Sequence, residues 1–220
     1  MHTMSDRLIP PRMLFRFAAP CLRHEPLWTP TGVQLGPQFR LPSFADLDEQ
    51  ISFADVRVAW SDAGLAFNVQ VSGKRRPPWC RESRPDESDG LRVWIDTRDT
   101  HNIHRASRFC HQFIFLPAGS GRNLADPYGE LYFINRAREN PKPIRADVLK
   151  TRSEKRVDGY LLEAYIPAAA ITGWDPAEHA KLGFTYAVVD QELGEQTFSC
   201  GKEFPYRDDP SVWGTLELVR

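Results

Sequence analysis

The sequence contains no Cys-x-x-Cys pair, no Gly-x-Ser-x-Gly, no His-Glu-x-x-His and no glycine-rich loop that would cradle a phosphate. These absences remove the zinc ribbons, thioredoxin-like redox sites, serine-hydrolase elbows, zinc peptidases and P-loop nucleotide enzymes that such motifs announce. No apolar run approaches the ~20 residues a membrane helix needs. A surplus of one charge is missing too. Lys+Arg 28 stands against Asp+Glu 29, which leaves no positive field of the kind a general nucleic-acid binder uses to displace counterions. Met13–Leu22, "MLFRFAAPCL", has the apolar look of an export signal. Arg16 interrupts it and no small-residue cleavage pattern follows. Export is therefore not expected and a cytoplasmic location is. The four scattered cysteines, Cys21, Cys80, Cys110 and Cys200, are then expected as reduced, mostly buried thiols.

What the chain does hold is alternation. At 220 residues it is long enough for one domain with a sizeable core. Residues 1–220 read as a single domain, with 1–50 an irregular N-terminal extension plus the first strands. The extension offers one strand, Arg12 to Ala18. "DVRVAW" places Val56, Val58 and Trp60 on one face, "SDAG" turns, and "LAFNVQV" returns Leu65, Phe67, Val69 and Val71, which predicts a hairpin. Asp89–Thr97 is a half-buried strand with Leu91, Val93 and Ile95 inward. "RFCHQFIFLP" is apolar on both faces and predicts a central strand, whereas Leu131–Asn135 makes a short strand at best. "ADVLKTRSEKRVDGYLLEAYIP" is a long hairpin, "AAAITGW" a single helical turn, and "KLGFTYAVVD" and "SVWGTLELV" are the closing strands. Many short strands at this spacing with hardly a helix predict an all-β, antiparallel β-sandwich. Val56, Val58, Leu91, Val93, Ile95, Leu162, Ile166 and Leu216 are expected to share its core.

The order of these motifs carries a resemblance. Trp79 in a charged loop precedes "DGLRVWIDTR", then comes "HQFIFLP". Gly159, Glu163, Ile166 and Pro167 follow in "DGYLLEAYIP", and Trp213, Gly214 and Leu216 close the chain. Over residues 51–220 this resembles the family-nine carbohydrate-binding modules and the wider DOMON-like sandwiches. The resemblance implies a jelly-roll-type sandwich and a non-catalytic module for a carbohydrate or carbohydrate-like polar ligand. It also implies two aromatic rings stacked on a terminal sugar. Trp79 takes the place of the first ring, and Phe198, Phe204 or Tyr206 stands where the second is sought. The family's polar contacts are replaced: its strand glutamate becomes Arg92, and its arginine after the Gln-Phe pair becomes Ile114. Structural calcium is a family property that Asp96 and Asp99 could serve. Haem, the ligand of one DOMON-like branch, is not expected, because Met1, Met4 and Met13 all lie in the extension.

The expected ligand-binding set is thus Trp79, Arg81, Arg92, Trp94, Arg98, Phe198 and Phe204. Trp94 points away from the Leu91/Val93/Ile95 face, where either it is exposed or the Ala118–Pro143 segment covers it. Lys74, Arg75, Arg76, Arg81 and Arg84 form a basic cluster whose commoner reading is a solvated loop paired with Asp86, Glu87 and Asp89. The loop after the Asp89–Thr97 strand gathers Asp96, Asp99, His101 and His104. Zinc there would need about four convergent donors, and the plainer expectation is a polar loop beside a buried, hydrogen-bonded His111, with no bound metal. A protein-interaction domain using the same aromatic face is the second reading, and a hydrolase built on the histidine loop the third. Neither nucleic acid nor membrane is an expected partner.

Overall fold

The computed structural model describes residues 14–42, 44, 47 and 52–220. Eleven strands follow one another: β1 Ala18–Arg23, β2 Ala54–Ser61, β3 Gly64–Ser72, β4 Gly90–Asp96, β5 Cys110–Ser120, β6 Asp126–Tyr132, β7 Lys150–Arg156, β8 Gly159–Pro167, β9 Lys181–Asp190, β10 Gly194–Thr197 and β11 Gly214–Val219. They form one continuous sheet in the order β6-β5-β4-β9-β11-β1-β2-β3-β8-β7, with β10 beside β9. The sheet folds over on itself, so β6–β5–β4–β9–β11 and β2–β3–β8–β7 face each other as two layers hinged at β1. Val56, Val58, Leu91, Val93, Ile95, Leu162, Ile166 and Leu216 all lie in the single core between the layers. The all-β expectation holds. The only helical pieces among the described residues are three-residue 3-10 turns such as Pro85–Glu87 and Ala168–Ala170, and no helix is long and apolar enough to cross a membrane.

The β2–β3 hairpin pairs in full register from Ala54↔Val71 to Ser61↔Gly64. Gly64 sits at φ +134°, where a side chain is strained, and a Cβ there would meet the Ile166 carbonyl at 2.1 Å. β5 lies between β4 and β6, as its two apolar faces predict. All pairings are antiparallel apart from those of β1, which runs parallel to β11 and to β2.

That first strand corrects the sequence reading. Arg12 and Met13 lie outside the described residues, and 14–17 form no strand. Leu14 and Phe15, whose bulk suggested a strand there, are exposed, while the small Ala19 and Cys21 are buried between neighbouring strands. Pro20 is tolerated because β2 joins only at Leu22 and Arg23. The edge strand β6 is also displaced, ending at Tyr132 rather than running from Leu131 to Asn135. β10 has no counterpart in the sequence reading. The extension is not idle: Leu27, Val33, Leu35 and Phe39 cover the outward Ala59 and Ala66 of β2 and β3. This cover also buries Glu163, which accepts from the Val33 N–H at 2.9 Å and pairs with Arg152 at 2.6 Å.

Candidate binding cleft

The outer face of β4, β5 and β6 carries the side chains that alternate with the core. Register sets Ala187, Arg92, Ile114 and Glu130 in one row across β9, β4, β5 and β6, and Trp94, Gln112 and Tyr132 in the next. Loops cover one end of this face and leave the rest open. The opening is a cleft of about 860 Å³, floored by Arg92 and Gln112 and walled by Asp86, Glu130, Tyr132, Phe133, the Asn135–Asn140 segment, Arg207 and Asp208.

Arg92 is the unusual member. It is 1% exposed, yet its Nη2 donates only to backbone carbonyls, those of Pro85 (3.1 Å), Asp86 (2.9 Å) and Ser88 (2.7 Å), and its buried Nη1 has no partner. Burial, reinforced by the like charge of Arg207, holds the guanidinium below its ordinary pKa, although arginine stays charged at neutral pH. Arg207 is itself held by Glu195 at 2.6 Å. Burial raises the Glu130 carboxyl, an effect opposed by the hydrogen bond from the Tyr128 hydroxyl at 3.1 Å. Phe133 is 47% exposed, an apolar ring left open beside polar groups.

The loop before β4 is organised by a buried charge cluster. Lys74 Nζ pairs with Asp190 and, at 3.4 Å, with Asp89. Asp89 in turn accepts from the Trp79 N–H at 3.0 Å and the Gln191 N–H at 2.8 Å. Lys74 therefore departs from the solvated basic cluster, whereas Arg84 stays exposed beside Glu87 at 3.5 Å. Trp79 is half-buried, with the Arg81 guanidinium 5.7 Å from its ring centre. Both stand on the loop whose carbonyls hold Arg92, though neither is among the cleft walls.

Three other expected site residues fall elsewhere. Trp94 is 0% exposed, covered by Ala106, Ile134, Tyr206 and Trp213; its ring has no free face for a ligand, and the 118–143 segment supplies part of the lid. Phe198 lies in the main core, packed edge-on to Phe184 at 5.4 Å. Neither can be a stacking platform. Arg98 lies beyond the far end of β4, six residues and roughly 20 Å from Arg92, where it stacks on Phe109 at 4.3 Å and donates to the Gly173 carbonyl. Phe204 is half-buried on the loop after β10 and is not a wall of the cleft. Tyr132 and Phe133 were missed. The stretch "YFINRARENP", an aromatic pair running into an Asn- and Arg-rich loop, was the available signal.

The histidine loop divides its donors. Asp96 is buried and accepts the Arg98 and Thr100 N–H groups at 3.0 and 2.7 Å, which spends it on closing the turn. Asp99 lies 2.8 Å from His101 and accepts from the Thr215 hydroxyl. His104 faces Asp209 and Ser211, both at 3.1 Å. Among the described residues no three His, Cys, Asp or Glu side chains are grouped to hold a metal ion. His111 is buried, with Nε2 accepting the Thr172 N–H at 2.9 Å, and burial lowers its pKa to about 4. The four cysteines are buried, and burial pushes the Cys80 thiol to about 12 and Cys110 to about 11. Neither of those two thiols is poised as a nucleophile.

Comparison with known proteins bears on the fold and the family. A carbohydrate-binding module of family 9 from Caldicellulosiruptor kristjanssonii, solved with cellotriose, superposes with TM-score 0.60 at 12% identity, covering 92% of this chain and 93% of that one. The same organism's module with glucose gives TM-score 0.61 at 13% identity, covering 92% and 96%. A carbohydrate-binding protein assigned only by inference, from Bacteroides uniformis, gives 0.51 at 15%, covering 76% and 78%. These likenesses establish the fold. Curated proteins provide no significant match. The family model described as "Carbohydrate family 9 binding domain-like" matches residues 37–220, and the chain belongs to that family.

Proposed function

We propose that this chain is a non-catalytic carbohydrate-binding module whose ligand lies in the cleft over β4, β5 and β6. The observation that carries the reading is the cleft's combination of an exposed ring, Phe133, with the amides and carboxylates of Gln112, Asn135, Asn140, Asp86 and Glu130. A sugar presents an apolar C–H face and a rim of hydroxyls, so it needs a ring to stack on and short polar side chains that both donate and accept. A volume of about 860 Å³ is within the range of small-ligand sites. Family membership supports the same ligand class, and the C. kristjanssonii modules of this fold were solved with cellotriose and glucose. Trp79, carried on the loop that also holds Arg92, flanks the site rather than flooring it.

Titration calorimetry with glucose, cello-oligosaccharides and the hits of a glycan array tests the proposal. Phe133→Ala is expected to weaken binding by about 2 kcal/mol, as a stacking hot spot does, with little change in melting temperature, since the ring is half in water. Trp79→Ala is expected to cost less. The oligosaccharide should be recovered intact after long incubation. A chain that binds no glycan, or a Phe133→Ala variant that binds as well as the parent, would sink the reading.

A further inference from the structure

We infer that the glycan taken by this cleft is acidic, a sugar whose carboxylate is seated on Arg92; the inference rests on the carbohydrate reading above. Its basis is an imbalance of burial rather than of net charge. Lys74, Glu163 and Asp96, buried side chains that carry charge at neutral pH, are provided for within the protein. Lys74 has Asp190 and Asp89, Glu163 has Arg152, and Asp96 has two backbone N–H groups. Arg92 alone combines a buried charge with no carboxylate in ion-pair reach among the described residues, and it keeps an orphaned nitrogen. A buried cation without a counterion is costly, and an unmade charged hydrogen bond adds to that cost. Such a group at the floor of an open cleft is matched when an incoming anion supplies both.

The neighbouring side chains fit that assignment. Glu130 could have been the counterion, but Ile114 stands between the two in the cross-strand register. Two strand spacings, about 9.6 Å, separate them, and Glu130 is turned to Tyr128. Gln112 lies diagonally across from Arg92 on the same face, about 7–8 Å away. A modest turn of the guanidinium presents Nη1 to the cleft, and a carboxylate between the two residues accepts from Nη1 and from the Gln112 amide. Arg136 adds positive charge on the walls, whereas the charge of Arg207 is shared with Glu195 at 2.6 Å. Asp86, Glu130 and Asp208 also line the cleft but are exposed or half-buried, so water screens them while Arg92 is shielded. Screening weakens the exposed repulsions more than the buried attraction. A neutral sugar would leave Arg92 with only its carbonyl partners.

The test is calorimetry on the full chain with oligosaccharides of galacturonic acid and of glucuronic acid, with the same oligosaccharides after reduction of their carboxyl groups, and with cellotriose. The acidic forms are expected to bind at least about tenfold more tightly than their reduced counterparts, the weight of one charge-assisted hydrogen bond. Arg92→Lys should lose most of that ratio, because an ammonium cannot keep three carbonyls and still reach the ligand. If Arg92→Lys fails to fold, the ratio in the parent chain decides alone. Equal affinity for acidic and reduced forms, or preference for cellotriose, overturns the acidic assignment and leaves the carbohydrate reading standing. Binding to none of these sugars, nor to any glycan on the array, overturns both.

Discussion

Replacing Lys74 by methionine separates charge from volume at the buried charge cluster of the loop before β4. Methionine fills much of the space of the lysine stem, so the cavity contribution is small. What disappears is the cation shared by Asp190 and Asp89, with Glu192 farther off at 4.0 Å. Two buried carboxylates then face each other. Removing one partner of a buried ion pair costs about 3–5 kcal/mol. The low end applies, because four backbone N–H groups still serve the carboxylates: those of Trp79 and Gln191 for Asp89, and of Glu192 and Leu193 for Asp190. For a chain of this size about 3 kcal/mol lowers the melting temperature by roughly 6–12 °C. The effect has a sign in pH. Burial already raises the Asp89 carboxyl, and Lys74 is one of the groups that opposes the rise. Without Lys74 the value climbs further. A carboxyl raised in the folded state binds its proton more tightly than in the unfolded chain, so stability falls as pH climbs from the unfolded value through the folded one. The deficit of Lys74→Met should therefore shrink toward pH 4 and widen toward pH 8, and Asp190→Asn in the same chain should recover part of it. Melting curves by circular dichroism across that range measure both. A drop under about 2 °C, or a deficit that grows on acidification, would refute the reasoning.

Val93→Ala removes two methyl groups from a fully buried site between the layers and should cost about 1–3 kcal/mol in chemical denaturation, as transfer and cavity effects add. His111, lowered by burial to about 4, should stay neutral by NMR titration at pH 5.5. Because its neutral form is the folded one, it contributes full stability above its unfolded value near 6.5 and loses up to roughly 3 kcal/mol as pH falls toward 4. A native-state titration midpoint near 6.5 would show that the ring is wet.

The strands that were legible in the sequence are those in which one face is apolar without interruption. Val56 and Val58, Leu65 through Val71, and Leu91, Val93 and Ile95 mark their own period, since a slip of one residue would turn each set into water. β1 escaped because its buried residues are small. Ala19 and Cys21 fit where three strands converge, and the bulkier Leu14 and Phe15 beside them drew attention to an exposed stretch. β10 escaped because Gly194–Thr197 has no apolar side chain to show a period, and it pairs through its backbone with β9. The covering role of Leu27, Val33, Leu35 and Phe39 was invisible for a different reason. It depends on which outward faces lie within reach of the extension, and that is a property of topology rather than of local pattern.

The cleft marks the limit of strand parity. Arg92 and Trp94 are two residues apart on one face of one strand, and alternation predicts the same fate for both: outward, away from the core. Their surroundings differ because chain from distant positions, around Ile134, Tyr206 and Trp213, seals the face over Trp94 and stops short of Arg92. The indole ring meets an edge-on contact with Tyr206 at 5.3 Å in that lid, while its buried N–H is left without a hydrogen-bond partner. The guanidinium meets three carbonyls on one nitrogen and nothing on another. An apolar lid suits the rings of a tryptophan at the cost of one neutral N–H, whereas it would deepen the far larger desolvation of a cation. The cleft therefore borders the residue that an apolar cover could not satisfy, and the polar groups of the proposed ligand would be of most use there.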